Sequence, residues 1–166
     1  MPILHFSRWA SILLLLLVFE GLRAAPPEDY RFLPLTEAAE QAGDSGKPML
    51  LYFGRYGCTT CRKMHAEVFT DPGLRERLNR DFVLAYVDTE SGNRIRLANG
   101  ERTTEMQFAT RNRIFGTPTF VFFSPQQQPL FKKAGFQSIE QMKQYAEFIA
   151  EGHYEGMSLA DFLAKP

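Results

Sequence analysis

Two cysteines in the 166-residue chain stand two residues apart, as Cys58-Thr59-Thr60-Cys61. Thiols at this spacing can join into a disulfide and part again, and the attacking species is the thiolate. Cys58 lies where a short apolar run, Met49 to Phe53, has ended and a helical pattern begins. Unpaired N–H groups of a first helical turn, together with the macrodipole, stabilise an anionic sulfur at that point. This makes Cys58 the attacking sulfur. Cys61, one turn further on and deeper, can attack a mixed disulfide formed at Cys58 and release a reduced partner. The alternative is a purely structural crosslink, but closing a loop of about four residues contributes only about 2 kcal/mol. Both sulfurs are therefore expected at an exposed helix tip, ready for exchange.

The same helix carries His65. Four residues turn about 400° and seven about 700°, so His65 falls within about 40° of Cys61 and about 20° of Cys58 on the helical wheel. An imidazole titrating near neutrality suits proton transfer at Cys61 or stabilisation of a thiolate, against the plainer reading of a partly exposed surface histidine. Arg55 and Arg62 flank the motif and are read as solvated. A rival use of the same residues is metal binding: Cys58, Cys61 and His65 form C-x-x-C-x-x-x-H, which with His153 or a carboxylate would hold copper or zinc in a metallochaperone. The strand-to-helix placement favours redox exchange, with no resident metal and no cofactor.

The elements around the motif follow from periodicity. Residues 35–42 show helical spacing, with Thr36 as candidate N-cap and Gly43 to Gly46 ending the helix. Met49 to Phe53 suits a strand covered on both faces. Residues 58–79 read as two consecutive helices or one broken at Asp71-Pro72-Gly73, and residues 81–88 as a second buried strand. The polar stretch 89–102 contains Asn99-Gly100 and fits a small hairpin around Ile95 and Leu97. A short helix over 103–112, a strand over 119–123, a turn, a strand over 130–134 and a helix over 138–151 follow. Phe120, Phe122, Phe123, Phe131 and Phe136 are assigned to the core. His153, Tyr154, Leu159, Phe162 and Leu163 are assigned to a C-terminal cap with a last short helix. This order implies an α/β domain with a mixed central sheet and helices on both faces.

Nineteen Lys plus Arg balance nineteen Asp plus Glu, so no global field attracts nucleic acid or anionic membranes. With 45% hydrophobic and 23% charged residues, the chain is one ordinary globular domain rather than a disordered or disulfide-dense one. His5 and Arg8 precede an apolar run over residues 10–19, followed by Glu20-Gly21-Leu22-Arg23-Ala24-Ala25. That is the pattern of a secretory signal peptide over residues 1–24. An uncleaved anchor is the alternative, but ten apolar residues at about 1.5 Å each cover only about half of a roughly 30 Å hydrocarbon core. Removal after Ala24 leaves an extended lead-in over 25–32 and a domain over 33–166, placed in an oxidising space such as the periplasm.

Gly116-Thr117-Pro118 is the second motif. Proline cannot donate to a sheet ladder, so its place at a strand start suggests a special backbone, a cis Thr117–Pro118 bond among the options. Together with the Cys-x-x-Cys helix about sixty residues upstream, the chain resembles the thioredoxin superfamily over about residues 33–151. Ser45-Gly46-Lys47-Pro48, Met64, Val68-Phe69, Asn99-Gly100 and Gly116-Thr117-Pro118-Thr119-Phe120 are most similar to exported thioredoxin-like proteins of the SoxW type. More distantly they are similar to the C-terminal domain of the membrane electron carrier DsbD. The resemblance implies a thioredoxin fold and a cis Pro118 facing the sulfurs. It also implies that the Thr117 backbone pairs an incoming client segment.

Two departures stand out. Tyr56-Gly57 precede Cys58 where such proteins carry tryptophan, so client contacts there fall to Tyr56 and Gly57. Tyr52 occupies the place of a buried carboxylate, and His65 is the candidate replacement. The expected protein is an exported thiol:disulfide oxidoreductase leaning towards reduction, with Cys58, Cys61, Pro118 and His65 catalytic. Its partners are client thiols and disulfides and a membrane electron relay, and it acts as a monomer.

Overall fold

The six residues of β2 (Met49–Gly54) are all buried, because this strand sits mid-sheet with layers on both faces. The computed structural model describes residues 25–165, so the signal-peptide reading over residues 1–24 lies outside the described residues. Alternate side chains of β2 divide between two cores, as period-2 geometry requires. Leu50 and Tyr52 enter one with Leu84, Phe120 and Phe122; Leu51 and Phe53 enter the other with Val83, Ala85 and Val87.

Around β2 the sheet order is β1-β3-β2-β6-β7. β3 (Val83–Asp88) runs parallel to β2, and β6 (Thr119–Phe123) runs antiparallel on its other side, continued by β7 (Pro129–Ala134). β1 (Phe32–Pro34) pairs in parallel with β3, placing Phe32 opposite Leu84. The lead-in thus ends inside the sheet as an edge strand, with Tyr30 already buried. Its three residues were too short to show a period.

α1 (Leu35–Ser45) and α4 (Glu105–Arg111) cover one face through Leu35, Ala38, Ala42 and Ala109. α2 (Thr59–Glu67), α3 (Pro72–Asp81) and α5 (Ile139–Ala150) cover the other through Met64, Leu74, Leu78, Met142 and Ile149. The two-helix reading of residues 58–79 holds: Asp71 caps α3 at the break, and Pro72 occupies its first position. β4 (Arg94–Arg96) and β5 (Arg102–Thr104) form the small hairpin. A 3₁₀ turn at His153–Glu155 and α6 (Leu159–Leu163) complete the cap.

Two expectations are corrected. Thr36 is not the N-cap of α1; its hydroxyl donates to Arg96 O at 2.6 Å and ties the hairpin to the helix, while Pro34 stands at the cap without a side-chain bond. Phe136 is exposed instead of core, with Lys63 Nζ 4.6 Å above its ring centroid, because it lies past the end of β7.

Asp71 Oδ1 accepts the Leu74 N–H at 2.7 Å and lies 3.0 Å from Lys143 Nζ on α5, joining two helices that back the site. Asp71→Ala is expected to cost about 1–2 kcal/mol in chemical denaturation. The Leu74 N–H, and then Lys143, hold this carboxyl below the usual aspartate range. Its stabilisation is therefore complete above the unfolded value of about 3.9 and disappears as pH falls through the folded one. The stability gap between wild type and variant should close on acidification.

Candidate functional site

The site begins where β2 stops. Gly54 lets the Tyr86 phenol lie against the strand end: a Cβ there would sit 2.7 Å from Tyr86 Oη. Gly57 takes φ +69°, a turn that favours glycine, and the chain enters α2 with Cys58 as N-cap. The Cys61 N–H points at Cys58 Sγ at 3.0 Å, and Arg62 N–H bonds Cys58 O at 3.1 Å. One free amide of the first turn is thus satisfied by sulfur, the arrangement that stabilises a thiolate on reduction.

Cys58 and Cys61 are joined as a disulfide. Cys58 Sγ lies 3.4 Å from the carbonyl oxygen of Thr117, which precedes Pro118 across a cis peptide bond. Thr119 Oγ1 donates to Gly116 O at 2.7 Å, and Gly135 N–H donates to Pro118 O at 2.8 Å, so the loop is held from both sides. Cys58 thus meets the residue before Pro118, but the residues bearing the sulfurs are less open than an exposed tip: Cys58 is 5% and Cys61 6% exposed. They line a cavity of about 250 Å³ together with Tyr52, Tyr56, Arg62 and His65. Gly57, Arg55, Tyr86 and Ala25 complete its wall.

Within that wall, the Tyr52 hydroxyl and His65 Nε2 are 3.1 Å apart. The rings meet edge to face, and Phe69 packs against both. Burial pulls the His65 pKa down and pushes the Tyr52 and Tyr86 phenols well above their ordinary values. All three are therefore neutral at neutral pH. The flanking arginines are engaged elsewhere: Arg55 Nη1 lies 3.1 Å from Glu90 Oε1, and Arg62 donates to Thr59 Oγ1 at 3.3 Å.

The predicted residues Cys58, Cys61, His65, Tyr56 and Gly57 share this cavity; Thr117 and Pro118 do not line it, and Thr117 meets the site through its carbonyl, which lies 3.4 Å from Cys58 Sγ. His153 does not line it; it packs on Phe162 and lies 3.5 Å from Glu151. Among the described residues, the grouping whose possible ligand atoms come within 4.8 Å of one another is Glu147, Glu151 and His153, with no cysteine. The basic trio Arg94, Arg96 and Arg102 is exposed on the hairpin. Tyr86 and Phe115 were missed. Tyr86 reads in sequence as ordinary core of the strand over 81–88, and Phe115, 93% exposed just before Gly116, as part of the connection leading into the strand over 119–123. Only exposure sets Phe115 apart.

The profile of a thioredoxin-like domain matches residues 35–150. The chain belongs to that family. It is 30% identical over 91 residues to "Thiol:disulfide interchange protein DsbD 1" of Pseudomonas aeruginosa, a match covering 55% of this chain and 14% of that protein. This chain therefore corresponds to a small part of that relative. Among solved structures, a thioredoxin from Thermus thermophilus superposes with TM-score 0.63 at 26% identity, covering 78% of this chain and 94% of that one. The oxidised C-terminal domain of DsbD from Neisseria meningitidis gives TM-score 0.52 at 16% identity, with 71% and 98% covered, a likeness of fold.

The packing of Tyr86 against Gly54 is directly testable. Gly54→Ala should push the phenol out of the cavity wall and destabilise the protein by about 1–3 kcal/mol in denaturant titration. In a Tyr86→Ala background the same substitution should cost almost nothing more.

Proposed function

We propose that this protein is an exported thiol:disulfide oxidoreductase that reduces or isomerises disulfides of client proteins. The observation that carries the reading is the capped sulfur: Cys58 at the N-terminus of α2, bonded to Cys61 and facing the cis Thr117–Pro118 loop. In the reducing direction the Cys58 thiolate attacks a client disulfide, forming a Cys58–client disulfide and releasing one client thiolate. Cys61 then attacks Cys58, forming the intramolecular disulfide and releasing the second client thiolate. The Thr117 backbone and Pro118 present the client as a short added strand, with Tyr56 and Gly57 on the other rim.

The lean to reduction rests on electrostatics. Potentials in such proteins run from roughly −270 mV for reductants to about −120 mV for oxidants, and stabilising the reduced form makes an oxidant. Around Cys58 that stabilisation comes from one N–H and a helix end. Thr59-Thr60 bring no charge, and both neighbouring arginines have other partners. A modestly stabilised thiolate implies the reducing end of the range. A reductant in an oxidising compartment needs electrons delivered through a membrane relay, consistent with the similarity to part of a DsbD protein. The signal-peptide pattern supports the export element.

Cys58→Ser should abolish reduction of insulin by the protein. Cys61→Ser should accumulate a mixed disulfide that survives non-reducing electrophoresis, and equilibration with glutathione should place the wild-type potential nearer −270 than −120 mV. Retained insulin reduction by Cys58→Ser would overturn the assignment. Phe115 is an exposed aromatic beside the client-facing loop, the kind of side chain that anchors interfaces. Phe115→Ser should raise KM for a protein disulfide about tenfold while leaving the rate with a small aromatic disulfide unchanged.

A further inference from the structure

The exchange cycle leaves one proton unaccounted for. Cys61 is buried, and burial holds a thiol protonated, yet it must attack as a thiolate. The charged groups near its cavity are poor acceptors. Arg55 and Arg62 are cations, and the tyrosines are neutral phenols. His65 is the wall residue with a basic nitrogen lone pair, kept neutral as burial lowers its pKa, on the same helix and four residues beyond Cys61.

His65 also borders a second hollow, shared with the lead-in. Pro26, Glu28, Asp29 and Arg75 line a neighbouring hollow with His65 and Phe69, and Asp29 is paired to Arg75 Nη1 at 2.7 Å. Glu28 belongs to that second hollow rather than to the sulfur cavity. The polar contact to the ring inside is the hydroxyl of Tyr52, a residue 1% exposed whose hydroxyl has no other hydrogen-bond partner among the described residues. Tyr52 Oη can accept from the His65 Nε2–H, which leaves the Nδ1 lone pair free to take a proton and keeps the same contact in the imidazolium. Tyr52 can thus hold His65 in both protonation states without carrying the proton itself.

We propose that Tyr52 is a positioning residue that holds His65 as the proton acceptor for Cys61. The step balances as follows. Cys61 gives its proton to His65, directly or through water in the cavity; its sulfur forms the bond to Cys58 Sγ; the bond from Cys58 to the client sulfur breaks, and that sulfur leaves with the electron pair. Imidazolium then returns the proton to solvent or to the departing thiolate. This rests on the oxidoreductase reading and adds the residues that serve its second step.

The test uses a small aromatic disulfide whose released thiolate is coloured, mixed with fully reduced full-length protein in stopped flow. The first release reports Cys58 attack, the second reports Cys61 resolution, and the first serves as the internal check that each variant is folded. In wild type the second rate should fall at acid pH with an inflection below about 6.5, because burial lowers the His65 pKa. His65→Gln should slow resolution at pH 7 by about 100-fold and remove that inflection, leaving a rate that climbs only as the thiol itself ionises. Tyr52→Phe should slow resolution by about three- to tenfold in the wild-type background and have no effect in the His65→Gln background, with the first release unchanged throughout. An unmoved profile in His65→Gln, or an equal effect of Tyr52→Phe in both backgrounds, would overturn the proposal. If Cys58→Ser still reduced insulin at the wild-type rate, the oxidoreductase reading itself would fall instead.

Discussion

A backbone amide aimed at a sulfur, Cys61 N–H to Cys58 Sγ, is the contact on which the chemistry of this protein depends. It exists because a fully buried strand stops at Gly54, turns through a left-handed glycine at position 57, and starts a helix with cysteine at the cap. Serine, threonine, aspartate and asparagine are the usual residues there, donating oxygen lone pairs to a free amide. Sulfur is a poorer acceptor when neutral and a better one as thiolate. The cap therefore strengthens when the disulfide opens, and the fold favours the reactive state at the moment it is needed.

Beneath this cap lies an aromatic layer. Tyr52 stacks on Phe120 and meets Tyr86, Phe69 and Phe32 at ring centroids between 5.0 and 6.0 Å, forming a stiff floor under α2. Aromatic floors of this kind bring polar handles with them, and each handle needs a partner. Tyr145 reaches Gln137 and Tyr52 reaches His65, whereas the Tyr30 hydroxyl is buried without a partner among the described residues. Of these three handles, that of Tyr52 meets a titratable group, beneath the cysteines.

The charge pattern explains the restraint of the site. Arg55, closest to the motif on its N-terminal side, is drawn off by Glu90 at the end of β3, and Arg62 turns to Thr59. The two arginines of the wall are held by Glu90 and Thr59, so the contact made to Cys58 Sγ from the helix is a dipole, the Cys61 N–H, rather than an ion. Dipolar stabilisation by a helix end is worth less than a paired cation and less sensitive to salt. Phe115, two residues before Thr117, and Tyr56, in the cavity wall, are exposed aromatics, which suit extended segments of varied sequence better than one ionic motif.

Much of this was present in local patterns. The Cys-x-x-Cys pair, the apolar run before it, the Asp71-Pro72-Gly73 break, the Asn99-Gly100 hairpin and the Gly-Thr-Pro motif each announce themselves within a few residues, because caps, turns and strand ends are governed by short-range sterics and hydrogen bonding. Helical spacing also placed His65 on the sulfur face. What the chain alone did not reveal were features made by residues far apart. These were the pairing of Phe32–Pro34 with β3, Thr36 bonding Arg96 instead of its own helix, and the near-closure of Cys58 and Cys61 within a cavity. Tyr52 meeting His65 and Phe115 standing free belong with them. Exposure and cross-strand partnership are properties of packing, set by which surfaces compete for the same volume, and no window of neighbouring residues contains that competition.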